Sequence, residues 1–158
     1  MNKLMRLAKL KLYIDIPGNG IMMAIPIKSA GGARSLDALT GGHIPEGGKP
    51  EMQFEHELIV VVLNEGCSDM VMDAARSAGA RGGTVLHAKG TGTSSAPKFF
   101  GVLLAEEKEM IYIVATAEQK EGIMRAVMRD AGPETKAGAV CFSLPITQIA
   151  GLRKFDEE

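Results

Sequence analysis

Aromatic residues and cysteines are scarce in this chain of 158 residues, which has five Phe, two Tyr, no Trp and two Cys. The two cysteines can form no disulfide framework, and neither has a second Cys or a His at metal-ligand spacing. We therefore expect a cytoplasmic protein. With few aromatic residues and ten Met, the core is predicted to be aliphatic and filled by methionine.

A strong charge of one sign and a long apolar run are also absent. The formal net charge is -1, and no block of like charges would attract nucleic acid or an anionic membrane. Within residues 1–16, the cations Lys3, Arg6, Lys9 and Lys11 interrupt the apolar residues, as neither a signal peptide nor a membrane span would allow. We expect no nucleic-acid partner and no membrane insertion.

Catalytic motifs are missing as well. The chain has no Ser-His-Asp grouping, no HExxH and no Walker glycine-lysine-serine motif, so no catalytic residue is predicted. Cys67 stands before a predicted helix without a base beside it, and its role stays open. The carboxylates Glu106, Glu107 and Glu109 are predicted to be solvated at the beginning of a strand. We expect that the protein is not an enzyme.

The most informative stretch that is present is GGTVLHAKGTG, Gly82 to Gly92. Its four glycines permit positive φ or close approach of a ligand, and Lys89 places a cation beside backbone amides that could cradle an anion. This pattern predicts a phosphate site. Alternatively, the first two glycines end a helix and the last two form a turn. Strand alternation places His87 on the same face as Lys89, either as a structural histidine or as an effector contact.

Hydrophobic periodicity predicts six elements after residue 55. In chain order they are a strand at His56–Gly66, a helix with Ser68 as N-cap that ends at Gly79, strands at Thr84–Lys89 and Glu109–Ala117, a helix at Ala117–Ala131 and a strand at Ala139–Ile146. The order βαββαβ predicts an α+β, ferredoxin-like split βαβ fold with an antiparallel four-stranded sheet. Both helices would cover one face of the sheet, and association would cover the other.

The N-terminal residues resemble the end of this domain. Residues 1–16 are predicted to form a short helix that passes into an extended segment at Leu10–Ile16, followed by a strand at Ile21–Ile27. When IMMAIPIKSAGG is laid over VCFSLPITQIAG, Pro26 falls on Pro145, and the same register puts Met5-Arg6 over Met124-Arg125. We interpret residues 1–32 as a partial ferredoxin-like half-repeat (helix plus strand), 33–55 as a linker, 56–152 as the complete domain and 153–158 as a tail.

Four stretches between Glu57 and Leu152 resemble the P-II nitrogen regulatory proteins and their P-II-like relatives: ELIVVVLNEG, AGARGGTVLHAKGTG, IYIVA and AVCFSLPITQIAGL. The second is the most specific, because P-II proteins have a glycine-threonine strand that leads to lysine-glycine-x-glycine before a long T-loop. The resemblance implies a non-catalytic signalling homotrimer that binds an adenine nucleotide (ATP, ADP or AMP) in clefts between subunits. Its T-loop would signal to a target protein that the sequence does not identify.

The resemblance also implies the residues of the effector site. Gly82, Gly83 and Thr84 would approach the adenine and ribose from one subunit, and Lys89, Gly90, Thr91, Gly92 and Thr93 would line the phosphate side. The turn Lys136–Ala139 corresponds to the family's Gly-Asp-Gly-Lys phosphate turn, but only Gly138 is kept and Ala139 stands at the lysine position. Since a charge-assisted hydrogen bond contributes about 1.5–3 kcal/mol, a less charged nucleotide such as ADP or AMP becomes plausible.

The segment that corresponds to the T-loop, Thr91 to Glu107, is short and contains no Tyr. Nucleotidylation of a loop tyrosine is therefore not expected. Two alternatives remain: a structural or interaction module of the same fold without nucleotide binding, and a metal-binding trimer like the divalent-cation tolerance proteins, which share the fold. His43, His56 and His87 have no regular ligand spacing, so no metal site is predicted.

Overall fold

The computed structural model describes residues 2–16, 19–26, 54–90, 98–99, 102–103 and 106–152. The chain divides into two compact units. We call Met1–Phe54 with Ile146–Glu158 the small unit, and Glu55–Pro145 the sheet unit. The predicted linker and tail lie almost wholly outside the described residues, and the proposed domain boundaries stay a prediction.

After residue 55, the described elements include the strands and helices of the predicted βαββαβ order, together with three further short strands. In chain order, all the described elements are α1 (Asn2–Leu12), β1 (Met22–Ala24), β2 (His56–Asn64), α2 (Ser68–Ser77), β3 (Thr84–Gly90), β4 (Lys98–Phe99), β5 (Val102–Leu103), β6 (Glu106–Thr116), α3 (Ala117–Ala131), β7 (Val140–Ile146) and β8 (Gln148–Ala150).

Four strands form the main antiparallel sheet, in the order β3-β6-β2-β7. His56 lies opposite Thr116 at one end of the β2–β6 pair, and Asn64 lies opposite Lys108 at the other. β3 pairs with the other edge of β6, where Gly90 lies opposite Glu106. The ferredoxin-like prediction is therefore confirmed. Between β3 and β6, the short strands β4 and β5 pair with each other.

The core of the sheet unit lies between the sheet and its two helices. Alternate residues of the central strands, such as Ile59, Val61 and Ile111, are fully buried in one cluster with α2 and α3. Helix α3 contributes its predicted stripe, Ile123, Ala126, Val127 and Ala131, all of which are buried. The packing is aliphatic, as predicted. The predicted filling by methionine is limited in this cluster to the buried Met72 and the partly buried Met70 and Met124.

The opposite face of the sheet is apolar too. Leu58 and Val60 point away from the helix-covered core because strand residues alternate between faces, and both are buried. β2 is therefore buried on both faces, as its continuous apolar run predicts. Toward the edges of this face, Leu86 of β3 and Phe142 of β7 are exposed.

The two helices of the sheet unit begin differently. α3 starts with a capping box, in which the Gln119 amide donates to Thr116 Oγ1 and the Gln119 side chain accepts from the Thr116 amide. The prediction of Ser68 as the N-cap of α2 is wrong, because Cys67 holds that position and makes no side-chain cap bond. Gly79 follows α2 with φ +96, a value that favours glycine.

The small unit contains α1 and a two-stranded antiparallel sheet. α1 continues to Leu12, so the predicted extended segment from Leu10 is wrong. β1 is shorter than the predicted strand Ile21–Ile27, and Ile27 lies outside the described residues. β1 pairs with β8, which the sequence pattern does not predict. A small core combines Met5, Ala8, Ile14 and Ala150. Helix followed by strand is the order that the half-repeat requires, but the half-repeat itself stays a prediction.

Candidate functional site

The glycine pair before β3 has two different environments. A Cβ at Gly83 would lie 2.9 Å from both Ile111 Cγ2 and Met72 Sδ, whereas nothing lies within 4 Å of a Cβ at Gly82. Core packing therefore explains why a glycine is required at residue 83, whereas Gly82 faces open space. Thr84, which follows them, is exposed at the start of β3, which is an edge strand and pairs only with β6 among the described strands.

The other end of β3 carries the predicted phosphate-side residues. Lys89 Nζ lies 3.4 Å from Glu107 Oε1, and both side chains are largely exposed. His87 and Lys89 lie opposite Glu109 and Glu107, so they share one face of β3, as alternation predicts. Thr91, Gly92 and Thr93 lie outside the described residues.

The predicted adenine side and phosphate side lie at opposite ends of β3. Thr84 begins the strand and Gly90 ends it. At about 3.3 Å per residue, these two positions are separated by about 20 Å. One protomer therefore does not bring the two groups of predicted residues together.

A hydrogen-bonded network joins three chain segments beside the Lys89 end of the sheet. Lys108 Nζ donates to Asn64 Oδ1 at 2.6 Å and lies 2.9 Å from Glu106 Oε2. Asn64 Nδ2 donates to the carbonyl of Lys136 at 2.9 Å, in the turn before β7. A Cβ at Gly138 would lie 3.1 Å from Asn64 Nδ2, and Gly138 has φ +54. Space and backbone conformation therefore both favour glycine there.

Asn64 and Lys108 are not predicted from the sequence as site residues. Their weak signals are a polar residue at the end of an apolar run and a lysine among carboxylates at the start of β6. They border an open cavity of about 730 Å³, which is lined by Asn64, Glu65, Glu106, Glu107 and Lys108. The structure therefore gathers Lys89, Gly90 and Gly138 around one end of the sheet, with Asn64 and Lys108 between them.

The turn that corresponds to the family's phosphate turn uses its amides internally. The amides of Ala137, Gly138 and Ala139 donate to Thr135 Oγ1, the Thr135 carbonyl and the Ala131 carbonyl at 3.2, 3.1 and 2.9 Å. Ala139 is also fully buried. This conformation offers a phosphate neither the expected cation nor these three amides.

The carboxylates of β6 do not share one environment. The prediction that all of them are solvated is wrong for Glu109, which is 5% exposed. Its Oε1 lies 4.0 Å from Nδ1 of the exposed His87, and its Oε2 has no hydrogen-bond partner among the described residues. Burial of a carboxylate without a full set of partners is unfavourable.

Neither cysteine is arranged as a nucleophile. Cys67 is buried, and its thiol donates to the Lys136 carbonyl at 3.8 Å. Burial raises the pKa of the Cys141 thiol, which disfavours the reactive thiolate. Within the described ranges, no group of three or more His, Cys, Asp or Glu residues is placed to hold a metal ion. No helix of the described part of the chain is long and apolar enough to cross a membrane.

The split βαβ unit and the lysine at the end of its second strand agree with a family comparison. The family model described as nitrogen regulatory protein P-II matches residues 56–155, more than half of the 158 residues. The chain belongs to the P-II family. Proteins of this family are generally non-catalytic signalling proteins and are typically trimers. The P-II match spans the described strands β2 to β8 and both helices of the sheet unit.

Among solved structures, the P-II chain is similar to Arabidopsis thaliana PII bound to citrate. The sequences are 20% identical, the match covers 59% of this chain and 78% of the Arabidopsis chain, and the TM-score is 0.46. A likeness this distant supports no conclusion about ligands. No curated protein matches the chain.

Proposed function

We propose that this P-II protein is a non-catalytic signalling trimer that binds an adenine nucleotide in the clefts between its protomers. The separation of about 20 Å between Thr84 and Gly90 supports this arrangement. A nucleotide that contacts both ends of the β3 edge strand must take each end from a different protomer. Signalling would pass through the short loop of residues 91–107 to a target protein.

Trimer formation would cover the sheet face that carries no helix. Leu86, Val140 and Phe142 expose large apolar surface on this face or at its edges. Exposed apolar groups that lie together are typical of association surfaces. The unbridged cysteines Cys67 and Cys141 agree with action in the cytoplasm, where thiols stay reduced.

The charges of the site favour a nucleotide with few phosphates. Lys89 can turn toward a ligand at little cost, because exposed ion pairs such as Lys89–Glu107 contribute only about 0–1 kcal/mol. Lys108 is already held by Asn64 and Glu106, and Ala139 supplies no charge. We therefore propose ADP or AMP, rather than ATP, as the preferred effector.

Isothermal titration of the full chain with ATP, ADP, AMP and cyclic AMP tests this function, with light scattering on a sizing column to establish the trimer. We expect saturable heat with ADP or AMP and weaker binding of ATP. The nucleotide proposal fails if all four titrations are silent. Tighter binding of ATP would contradict the proposed preference alone.

A second candidate is an interaction module of the same fold without a ligand. The internal hydrogen bonds that the backbone amides of residues 137–139 donate favour it, because these amides are not free to bind a phosphate. In that case the trimer would form, every titration would be silent, and Lys89→Ala would change neither stability nor any ligand response. If the trimer releases or absorbs heat on binding a nucleotide, this candidate is excluded.

A further inference from the structure

Glu109 is a carboxylate in an apolar position of the sheet unit. Its side chain is 7% exposed. It lies opposite Leu63 of β2 and two residues before Ile111 of its own strand, and both of these neighbours are almost completely buried. A leucine at this position would extend the apolar packing, so the glutamate lowers stability unless a partner binds its charge.

His87 is the polar neighbour of this carboxylate. It lies directly opposite Glu109 on the edge strand β3, and its side chain is 79% exposed. Its Nδ1 lies 4.0 Å from Glu109 Oε1, which is too long for a hydrogen bond. Glu109 Oε2 has no hydrogen-bond partner among the described residues. The imidazole therefore borders the buried carboxylate without satisfying it.

The separation of these two groups is close to that of two ligands on one metal ion. In a tetrahedral zinc site, the nitrogen of a histidine and the oxygen of a carboxylate lie about 3.4 Å apart. The observed 4.0 Å is slightly longer, and rotation of the exposed His87 side chain can close the difference. The register of β3 and β6 holds the two residues opposite each other, so the pair is positioned before an ion binds.

The neighbouring charges leave the Glu109 carboxylate available. Lys89 and Glu107 form the next cross-strand pair on this face, with Lys89 Nζ 3.4 Å from Glu107 Oε1. Among the described residues, no lysine or arginine forms an ion pair with Glu109. Because Glu107 offsets the charge of Lys89, the nearest lysine does not prevent a cation from binding between His87 and Glu109.

We propose that His87 Nδ1 and the Glu109 carboxylate bind a zinc ion at the edge of the sheet, with water in the two remaining positions of a tetrahedral site. An imidazole beside a carboxylate suits zinc, whereas magnesium and calcium prefer oxygen ligands alone. The ion neutralises the buried carboxylate. Two protein ligands are fewer than zinc sites usually have, so the ion binds reversibly.

Isothermal titration of the full chain with zinc chloride tests the site, with protein that is free of metal and of any histidine tag. We expect about one zinc ion per chain, with a dissociation constant below about 0.1 mM. Glu109→Gln and His87→Gln should each weaken binding at least about tenfold. Circular dichroism would verify that both variants fold. The titration contains no nucleotide, so its outcome is independent of the proposed effector.

Two matched controls replace the same residue types outside the pair. Glu107→Gln removes the next carboxylate on the same face, and His56→Gln removes a histidine at the other end of the β2–β6 pair. Both should leave the affinity for zinc unchanged. Absence of saturable binding, unchanged affinity in Glu109→Gln or His87→Gln, or an equal loss in either control would each overturn the proposal.

Two further measurements separate a metal site from a structural role. X-ray absorption of the zinc-loaded protein should show nitrogen and oxygen ligands at about 2.0–2.2 Å, and a sulfur ligand at about 2.3 Å would overturn the proposal by placing zinc on a cysteine. Without zinc, Glu109→Leu should melt at a higher temperature than the unchanged protein, and zinc should raise the melting temperature of the unchanged protein alone. A lower melting temperature of Glu109→Leu would assign the carboxylate a structural role and overturn the proposal.

Discussion

Gly82 and Gly83 are adjacent in the chain before β3, but the space around the two residues differs. At Gly83 the side chains of Ile111 and Met72 occupy the space that a Cβ would need. At Gly82 that space is open. Substitution of Gly83 therefore tests packing, whereas substitution of Gly82 tests the approach of a ligand.

Gly83→Ala should lower the free energy of unfolding by about 1–3 kcal/mol, because the added methyl group overpacks the core. Gly82→Ala is the control and should change it by no more than about 0.5 kcal/mol. Urea unfolding of both variants measures the difference. If both variants lost equally little stability, the side chains of Ile111 and Met72 would have shifted to make room for the added methyl group at residue 83.

Substitution of Lys89 tests whether a single positive charge contributes to binding at the proposed site. Lys89→Ala should raise the dissociation constant of the bound nucleotide about tenfold or more, since it removes a charge-assisted bond. Stability should change by less than about 1 kcal/mol, because the Lys89–Glu107 pair is exposed. Isothermal titration and urea unfolding provide the two measurements.

Arg125→Ala on α3 is the control for Lys89→Ala, since Arg125 is exposed and pairs with Glu121 of its own helix. It removes the same charge and should leave nucleotide affinity unchanged. An unaltered dissociation constant in Lys89→Ala would remove Lys89 from the effector site.

Among the elements, the beginnings of α2 and α3 depend on different contacts. In α3 the Thr116 hydroxyl accepts from the Gln119 amide at 3.2 Å. In α2 no side chain at the N-cap makes such a bond. α2 begins instead in a buried region, with Cys67 and Val71 inside the core, so packing defines its start more than capping does.

Thr116→Val keeps the shape of the side chain but removes the cap, and should cost about 1 kcal/mol of stability. Ser68→Ala, at the position that the sequence predicts as the N-cap of α2, should be neutral within about 0.5 kcal/mol. Thermal unfolding compares the two variants. A larger loss for Ser68→Ala would restore Ser68 as a cap.

For the whole molecule, we expect the proposed trimer to form through the sheet face without helices. Phe142 lies on β7 next to Cys141, which packs against the helix-covered core, so alternation points Phe142 to the other face. Phe142 is exposed in the protomer. An aromatic ring at this position would contribute strongly to a trimer interface.

Phe142→Ser should shift the protein from trimer toward monomer. The protein concentration at which half of the chains are in trimers should rise about tenfold or more. Met128→Ser on α3 removes an exposed apolar side chain from the helix-covered side and should leave assembly unchanged. Sedimentation equilibrium measures both. A trimer that is equally stable in Phe142→Ser would place the interface elsewhere.

Much of this molecule follows from local pattern. The apolar run at Leu58–Leu63 predicts a strand buried on both faces, and the stripe that ends at Ala131 predicts the buried side of α3. The motif GGTVLHAKGTG predicts the proposed effector site, because glycine and lysine constrain what a loop can bind. These features are readable from sequence because each depends on residues close together in the chain.

Tertiary structure decided the features that join distant segments. The Asn64–Lys108–Lys136 network, the burial of Glu109 and the pairing of β1 with β8 all depend on strand order and register. The sequence by itself determined the main strands and both helices of the sheet unit and the family resemblance, through periodicity and motif. Only the fold decided which polar groups meet at the end of the sheet, because hydrogen bonds across strands require the final register.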